Sequence, residues 1–176
     1  MKSLNPTEIK RLNRSWRRRT ESRVRVVLVS LSNPFNVGSI LRTAAVFGVE
    51  SVYLVGATPG PDDAKVHKTG LGTERAVPTQ RVPTLAAAVA DARSDGFAVV
   101  AVELATDAVA ITDHVFTDAT CLVIGAEGHG LSPASLAECD RAVYLPQPGK
   151  VASLNVAAAT SIAIFEVRRA EWSSSP

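Results

Sequence analysis

Three glycines surround one acid in the middle of the chain, in the segment Gly125-Ala126-Glu127-Gly128-His129-Gly130. Because glycine has no side chain, the backbone of such a segment can approach a ligand closely. A simple turn seldom needs three glycines around an acid, so the pattern favours a binding site. Two interpretations of Glu127 stay open: a carboxylate on a surface turn, or an acid that orients a cation or a bound ribose.

Polar residues at two expected helix starts could serve the same site. Asn36 and Arg42 open one helix, although Asn36 is also a natural N-cap and Arg42 could face solvent or pair with an acid. Gly38 between them is expected to keep the mouth of that helix open to a bulky ligand. Ser153 and Asn155 open the last helix, where free backbone N–H groups favour an anion or a carboxylate. Ser153 is equally well explained as a cap, whereas Asn155 is expected inside the first turn, where capping does not explain it.

Several other chemistries lack their motifs in this sequence. The glycine segment is neither the G-x-G-x-x-G dinucleotide fingerprint nor a phosphate-binding loop with Gly-Lys-Ser/Thr, so nucleotide hydrolysis is disfavoured. The three histidines and two cysteines share no metal-ligand spacing, so no metal is expected.

An alternation of strands and helices must position these residues. Apolar runs predict strands over 24–29, 51–55, 97–102, 121–125 and 141–145, with an edge strand over 76–82 that contains Pro78. Helical spacing predicts helices over 36–47, 62–69, 84–94, 133–138 and 153–172. This order predicts a mainly parallel sheet with helices on both faces. All three unusual segments follow strands directly, so they are expected on the same edge of the sheet.

Charge divides the chain into an arm and a body. Residues 1–25 contain nine Lys/Arg and two Glu, a net charge of +7, while the rest contains ten Lys/Arg and fifteen Asp/Glu, a net charge of −5. We expect a basic arm or helix over 1–22, a body over 23–172 and a tail over 173–176. The arm favours a polyanionic partner, or it is a solvated basic helix that Trp16 anchors to the body. No apolar run predicts a membrane span or a signal peptide, so a cytoplasmic protein is expected.

Together, the three segments resemble the three motifs of the SpoU/TrmH branch of the SPOUT RNA methyltransferases. The first motif reads Asn-x-Gly-x-x-x-Arg over 36–42, the second covers 125–131, and the third is Leu145-Pro146 followed by Ser153-Leu154-Asn155-Val156. Each motif is moderately specific, but the three in this order and spacing are strongly specific. The resemblance covers about residues 24 to 169, and it implies an α/β fold with a mainly parallel sheet and a C-terminal trefoil knot.

The resemblance also implies a function and its residues. The implied protein is a homodimer that uses S-adenosyl-L-methionine to methylate the ribose 2′-hydroxyl of a structured RNA. Carried over residue by residue, the catalytic group is Arg42, surrounded by Asn36, Glu127, Ser153 and Asn155. The implied cofactor contacts are Glu103, Gly125, Leu145, Ser153 and Leu154.

The role of Arg42 and the identity of the RNA are more specific expectations. A guanidinium stays protonated in proteins, so Arg42 is expected to bind an adjacent phosphate and steady the developing alkoxide rather than act as a simple base. The sequence Gln147-Pro148-Gly149 in motif three is similar to enzymes that methylate guanosine in the tRNA D-loop, so tRNA is the expected substrate. Ribosomal RNA is the main alternative, and a non-catalytic RNA-binding protein on the same fold is the alternative of another class.

Overall fold

A seven-stranded sheet organises the chain in the computed structural model, which describes residues 2–151 and 153–174. The strands are β1 (Arg23–Val29), β2 (Ser51–Val55), β3 (Thr79–Val82), β4 (Ala98–Val102), β5 (Val109–Ala110), β6 (Ala119–Ile124) and β7 (Arg141–Tyr144). The helices are α1 (Pro6–Arg18), α2 (Pro34–Val46), α3 (Ala64–Gly70), α4 (Leu85–Ser94), α5 (Pro133–Ala137) and α6 (Val156–Ser174), with a 3₁₀ turn over Thr73–Arg75.

Every strand pairing among the described residues is parallel. The order across the sheet is β3-β2-β1-β6-β4-β7-β5, so β1, β6, β4 and β7 are neighbours. Because parallel strands end at the same edge, the segments that follow these four strands meet there. The predicted parallel α/β fold is confirmed, and the edge position of β3 is confirmed with it. The trefoil knot stays a prediction.

Alternating side chains along the strands fill two cores, one on each face of the sheet. On β1, Val24, Val26 and Leu28 pack with α2, α3 and α6 on one face. Val27 points to the other face, where the apolar side of α4 covers it. This two-period alternation explains why helices lie on both faces of one sheet.

The caps of α1 and α2 show how the first residue of each helix is set. Asn5 caps α1 in a capping box with Glu8. The cap of α2 is Asn33 rather than Asn36, because Pro34 occupies the first helical position and the Asn33 side chain accepts a hydrogen bond from the Phe35 N–H.

The C-terminal end and one short strand also differ from the sequence-based expectations. Helix α6 ends at Ser174, two residues beyond the predicted end at residue 172, and Ser175 and Pro176 lie outside the described residues. Strand β5 was not predicted, because two residues carry no periodic signal. No helix among the described residues is long and apolar enough to cross a membrane.

Candidate active site at the carboxyl edge of the sheet

A cavity of about 640 Å³ opens at the edge where β1, β4, β6 and β7 end. Its walls come from the segments after these four strands and from the first turns of α2 and α6. Eight of the nine residues predicted for the site line it: Asn36, Glu103, Gly125, Glu127, Leu145, Ser153, Leu154 and Asn155. The sheet therefore brings together residues that lie more than a hundred positions apart in the sequence.

A chain of hydrogen bonds connects the three motifs across this cavity. The Glu127 carboxylate accepts from the Asn36 side-chain amide at 3.2 Å. The Asn36 carbonyl oxygen in turn accepts from the Asn155 amide at 3.1 Å. Each amide thus has one fixed orientation, which holds the mouth of the cavity in a defined shape.

Asn155 is the N-cap of α6, which corrects the expectation that it lies inside the first turn. Its side-chain oxygen accepts from the N–H groups of Ala157 at 2.9 Å and Ala158 at 3.2 Å. Ser153 therefore does not cap the helix, because α6 begins only at Val156. The same side chain therefore caps the helix through its oxygen and contacts Asn36 through its nitrogen, so the helix start fixes its position in the site.

Glu127 is anchored to the loop after β1. One carboxylate oxygen accepts from the N–H and the hydroxyl of Ser32, and the other accepts from the Asn33 N–H at 3.1 Å. Desolvation opposes the charged form, but the hydrogen bonds from Ser32, from its own N–H, from Asn36 and from Asn33 outweigh it and lower the pKa of Glu127 to about 2. Glu127 is therefore a permanent carboxylate that fixes neighbouring groups, and a poor proton acceptor.

We expect Glu127→Gln to lower the free energy of unfolding by about 1 kcal/mol at neutral pH, because the amide nitrogen cannot accept from Asn33 or Ser32. The pKa of Glu127 is lowered on folding from an ordinary 4.5. Its stabilisation is therefore complete above the unfolded-state pKa and is lost as the pH falls toward the folded-state value. Urea unfolding gives the free energy of unfolding of the wild type and of the variant, and the difference between the two should become smaller below about pH 4.5. A difference that stays constant down to about pH 3 would contradict the stabilising role of the Glu127 carboxylate.

Glycine is required where the loop after β6 folds back on itself. A Cβ on Gly125 would lie 2.4 Å from the carbonyl carbon of Gly130 and 2.6 Å from the Leu131 nitrogen. The hairpin closes through the Gly130 N–H, which donates to the Ala126 carbonyl at 2.9 Å. Glu103 holds its far side, because its carboxylate accepts from the Leu131 N–H at 2.8 Å. The close approach that requires glycine is therefore between two parts of the loop itself, and the predicted approach of its backbone to a ligand stays a prediction.

Gly38 does not keep the helix mouth open, contrary to the expectation. It is buried inside α2, where a Cβ would lie 2.0 Å from the Thr69 hydroxyl and 2.3 Å from the Val66 carbonyl of α3. Its role is to let two helices touch, which fixes α2 behind the site.

Arg42 is the one predicted site residue outside the cavity lining. Arg42 follows Asn36 by six residues, so it lies about 9 Å further along α2 and on a different side of the helix. Its side chain is exposed and has no hydrogen bond or ion pair with any described residue. Within one chain, Arg42 and Asn36 therefore do not face the same cavity.

Sequence reasoning missed five polar or aromatic residues of the lining, namely Ser32, Asn33, His129, Tyr144 and Gln147. Asn33 could have been found, because Asn before Pro is a helix-start signal. The others follow strand ends, where only the fold decides which side chains turn inward. The described residues contain no group of three or more His, Cys, Asp or Glu arranged to hold a metal ion.

Comparisons with known proteins agree with this architecture. Residues 23–165 match the model of the SpoU rRNA Methylase family. The chain is 35% identical over 155 residues to an uncharacterized tRNA/rRNA methyltransferase of Synechocystis sp., covering 88% of this chain and 56% of the relative. It is 30% identical over 166 residues to the tRNA (guanosine(18)-2′-O)-methyltransferase of Escherichia coli K12, covering 94% of this chain and 71% of that enzyme.

A solved structure is similar along most of the chain. The SpoU methyltransferase AviRb from Streptomyces viridochromogenes, in complex with its cofactor AdoMet, superimposes with a TM-score of 0.77 at 30% identity. The match covers 85% of this chain and 58% of AviRb. The chain thus spans little more than half the length of that protein and of the Synechocystis relative.

Proposed function

Because the chain belongs to the SpoU methylase family, we propose that it transfers a methyl group from S-adenosyl-L-methionine to a ribose 2′-hydroxyl of a structured RNA. The observation that carries the proposal is the hydrogen-bond chain from Glu127 through Asn36 to Asn155, which closes a glycine-walled cavity at the carboxyl edge of the sheet. A protein that only bound RNA would not need this constellation.

The cavity fits the proposed cofactor in size and in lining. Its volume of about 640 Å³ lies within the range of about 300–1,000 Å³ that small-molecule sites occupy. Leu145 and Leu154 offer apolar surface, Gly125 offers exposed backbone, and Ser153 and Glu103 offer polar groups. We assign these five residues to hold the cofactor, which when bound supplies a methyl group on a positively charged sulfur.

The remaining work of the protein is to orient the ribose and to manage its proton. Holding two reactants in the right geometry can lower the activation free energy by about 7–11 kcal/mol in favourable cases. Asn36 and Asn155, each fixed by a hydrogen bond, are suited to orient the ribose at the cavity mouth. The carboxylate of Glu127 holds the Asn36 amide, which in turn accepts from Asn155. With its lowered pKa, Glu127 does not accept the proton, so the proton of the 2′-hydroxyl passes to a water molecule beside the neighbouring phosphate. Ser153 lines the same mouth.

Arg42 completes this arrangement only if a second copy of the chain supplies it. The outward faces of α2 and α6 carry exposed apolar side chains, namely Phe35, Val46, Ile162 and Phe165. Large exposed apolar patches mark interaction surfaces. We propose a homodimer through this face, in which the unpaired Arg42 guanidinium of one protomer reaches the cavity of its partner and binds the phosphate beside the reacting ribose.

Transfer RNA is the proposed substrate, with guanosine in the D-loop as the specific target. Two observations support this substrate. The chain is similar to the Escherichia coli enzyme, which modifies guanosine 18 of tRNA, and motif three contains the sequence Gln147-Pro148-Gly149. Ribosomal RNA is the second candidate, favoured by the description of the matched family. We place the protein in the cytoplasm, where both RNAs are found.

Transfer of a labelled methyl group tests the function and selects the RNA. The purified chain is incubated with labelled S-adenosylmethionine and with total tRNA or ribosomal RNA that lacks the modification, and the nucleosides are analysed by mass. We expect a 2′-O-methylated nucleoside in the tRNA pool. Label in ribosomal RNA alone would move the assignment to that substrate. Cofactor binding without label in either pool would reject both RNAs, and the absence of cofactor binding would support a non-catalytic RNA-binding protein.

A further inference from the structure

His129 lies at the tip of the loop that follows β6, at the candidate active site. Ala126 and Gly130 form an antiparallel bridge, and the Gly130 N–H donates to the Ala126 carbonyl at 2.9 Å. Residues 127–129 therefore form the tip of a closed hairpin. His129 is exposed and lines the cavity of about 640 Å³. An exposed lining residue stands at the mouth of the cavity, where the ribose is proposed to bind.

Hydrogen bonds hold both ends of this hairpin. Before His129, the Glu127 carboxylate accepts from the Ser32 N–H at 3.0 Å, in the segment after β1. After His129, the Leu131 N–H donates to the Glu103 carboxylate at 2.8 Å, in the segment after β4. The backbone of His129 is therefore fixed between the ends of two strands, so its ring stays near the cavity without a partner of its own.

The imidazole of His129 has no hydrogen bond or ion pair with any described residue. It therefore contributes nothing to the stability of the hairpin through polar contacts. In general, a neutral imidazole keeps one ring nitrogen as a free acceptor, and in water it takes up a proton near pH 6.5. The tip thus presents a free base to the cavity.

The other polar groups of the cavity are poor proton acceptors. Glu127, whose pKa is lowered to about 2, stays a carboxylate at neutral pH. Glu103 uses both carboxylate oxygens, which accept from the N–H groups of Leu104 at 3.0 Å and Leu131 at 2.8 Å. Amides and hydroxyls do not hold an added proton at neutral pH. Among the described residues that line the cavity, this leaves His129.

The charges around the cavity favour proton uptake late in the reaction. The carboxylates of Glu127 and Glu103 lie at the two ends of the hairpin, and nearby negative charge favours an imidazolium. The Arg42 guanidinium that we propose to enter from a second protomer opposes it, and the phenol of Tyr144 lines the same cavity. Methyl transfer removes the positive charge of the sulfur, so an imidazolium that forms as the methyl group leaves meets one cation fewer.

From this geometry we infer that His129 is the final acceptor of the proton that leaves the ribose 2′-hydroxyl. The inference rests on the proposed function and deepens it. As the new C–O bond forms and the S–C bond breaks, the 2′-hydroxyl gives its proton to the water beside the neighbouring phosphate. That water passes one proton to a ring nitrogen of His129, and the exposed imidazolium releases it to solvent before the next turnover.

The pH dependence of single-turnover methyl transfer tests this role, with the RNA pool that the wild type methylates. The wild-type rate should fall about tenfold for each pH unit below about pH 6, because the imidazole is then already protonated. His129→Gln keeps a polar side chain of similar size that cannot take up the proton. It should lower the rate at about pH 8 about 100-fold, and the remaining rate should hardly change between about pH 5.5 and 8. Cofactor affinity and KM for RNA should stay within about twofold of the wild type.

Two further variants provide the controls. His114→Gln changes a half-buried histidine in the segment before β6, at the opposite edge of the sheet, and should keep the wild-type rate and pH profile. Added imidazole should restore part of the activity of His129→Ala, because it replaces the missing base. It should restore nothing to Asn155→Ala, which lacks a positioning amide instead.

Three results for an active wild type would overturn the inference and leave the proposed function in place. These are a wild-type rate for His129→Gln, a reduced rate with an unchanged pH profile, and a loss confined to cofactor affinity. A wild type that methylates no RNA at any pH would instead reject the proposed function, and the inference with it.

Discussion

Replacing Arg42 by alanine will lower kcat for RNA methylation by about 100-fold or more, with cofactor affinity unchanged. The reason is that the guanidinium would stabilise charge that develops on the ribose oxygen and its neighbouring phosphate, while it lines no part of the cofactor cavity. Arg42→Lys should recover only part of the activity, because a point charge lacks the planar fork of donors. Methyl-transfer kinetics and cofactor titration measure both quantities, with Arg75→Ala as the control. Near-normal turnover of Arg42→Ala would remove Arg42 from the mechanism.

Mixed dimers show which cavity Arg42 serves. Arg42→Ala leaves the cavity intact, and Asn155→Ala disrupts the cavity but keeps Arg42. If Arg42 acts on the partner's cavity, each mixed dimer has one complete site, so random mixing should restore roughly a quarter of wild-type activity. If both groups acted within one chain, mixing two inactive variants would restore nothing. Sedimentation of the same samples reports whether they are dimers at all.

Arg168→Met will cost about 3–5 kcal/mol of stability, the largest effect that we expect from a single residue outside the site. The Arg168 side chain is only 2% exposed. Its Nε donates to the Phe47 carbonyl at 2.9 Å, and its two terminal nitrogens donate to the Gly48 carbonyl at 2.8 Å and the Ser22 carbonyl at 2.7 Å. Burial lowers the pKa of Arg168, and it outweighs the Glu171 carboxylate, which raises that pKa. Methionine would fill the space but leave these acceptors without a donor.

The next residue provides the control. Arg169 pairs with Glu166 one turn earlier on α6, and its side chain is 47% exposed. Arg169→Met should cost no more than about 0.5 kcal/mol, because exposed i,i+3 pairs contribute little. Urea unfolding at neutral pH gives both values. Equal losses for the two variants would show that Arg168 does not hold the end of α2 to the N-terminal segment.

Local patterns in the sequence were sufficient for most of the fold. The β-branched run of β1 and the apolar spacing of α2 and α4 predict which side chains are buried. The reason is that side chains return to the same face every second residue in a strand and about every 3.6 residues in a helix. Short-range signals were less decisive at helix starts. Asn33 and Asn36 are both plausible caps of α2, and the choice depends on Pro34, which fixes the first helical position.

The roles of particular glycines and polar residues required the folded chain. Gly38 was expected to open a ligand site, but its space is taken by Val66 and Thr69 of a helix nearly thirty residues away. Asn155 was expected inside a helix, but it caps that helix while contacting Asn36. Neither contact leaves a trace in local sequence spacing, since both partners are distant along the chain.

By itself, then, the sequence determined the parallel α/β architecture, the three motifs, the edge of the sheet where they meet, and the charge division between arm and body. These follow from periodicity, turn-forming residues and the shared direction of parallel strands. The tertiary structure alone decided that Asn36, Glu127 and Asn155 form one hydrogen-bonded chain and that Arg42 faces away from the cavity they line. The physical reason is that these properties depend on packing between segments far apart in the chain, where a change of one position along a helix turns a side chain by about 100°.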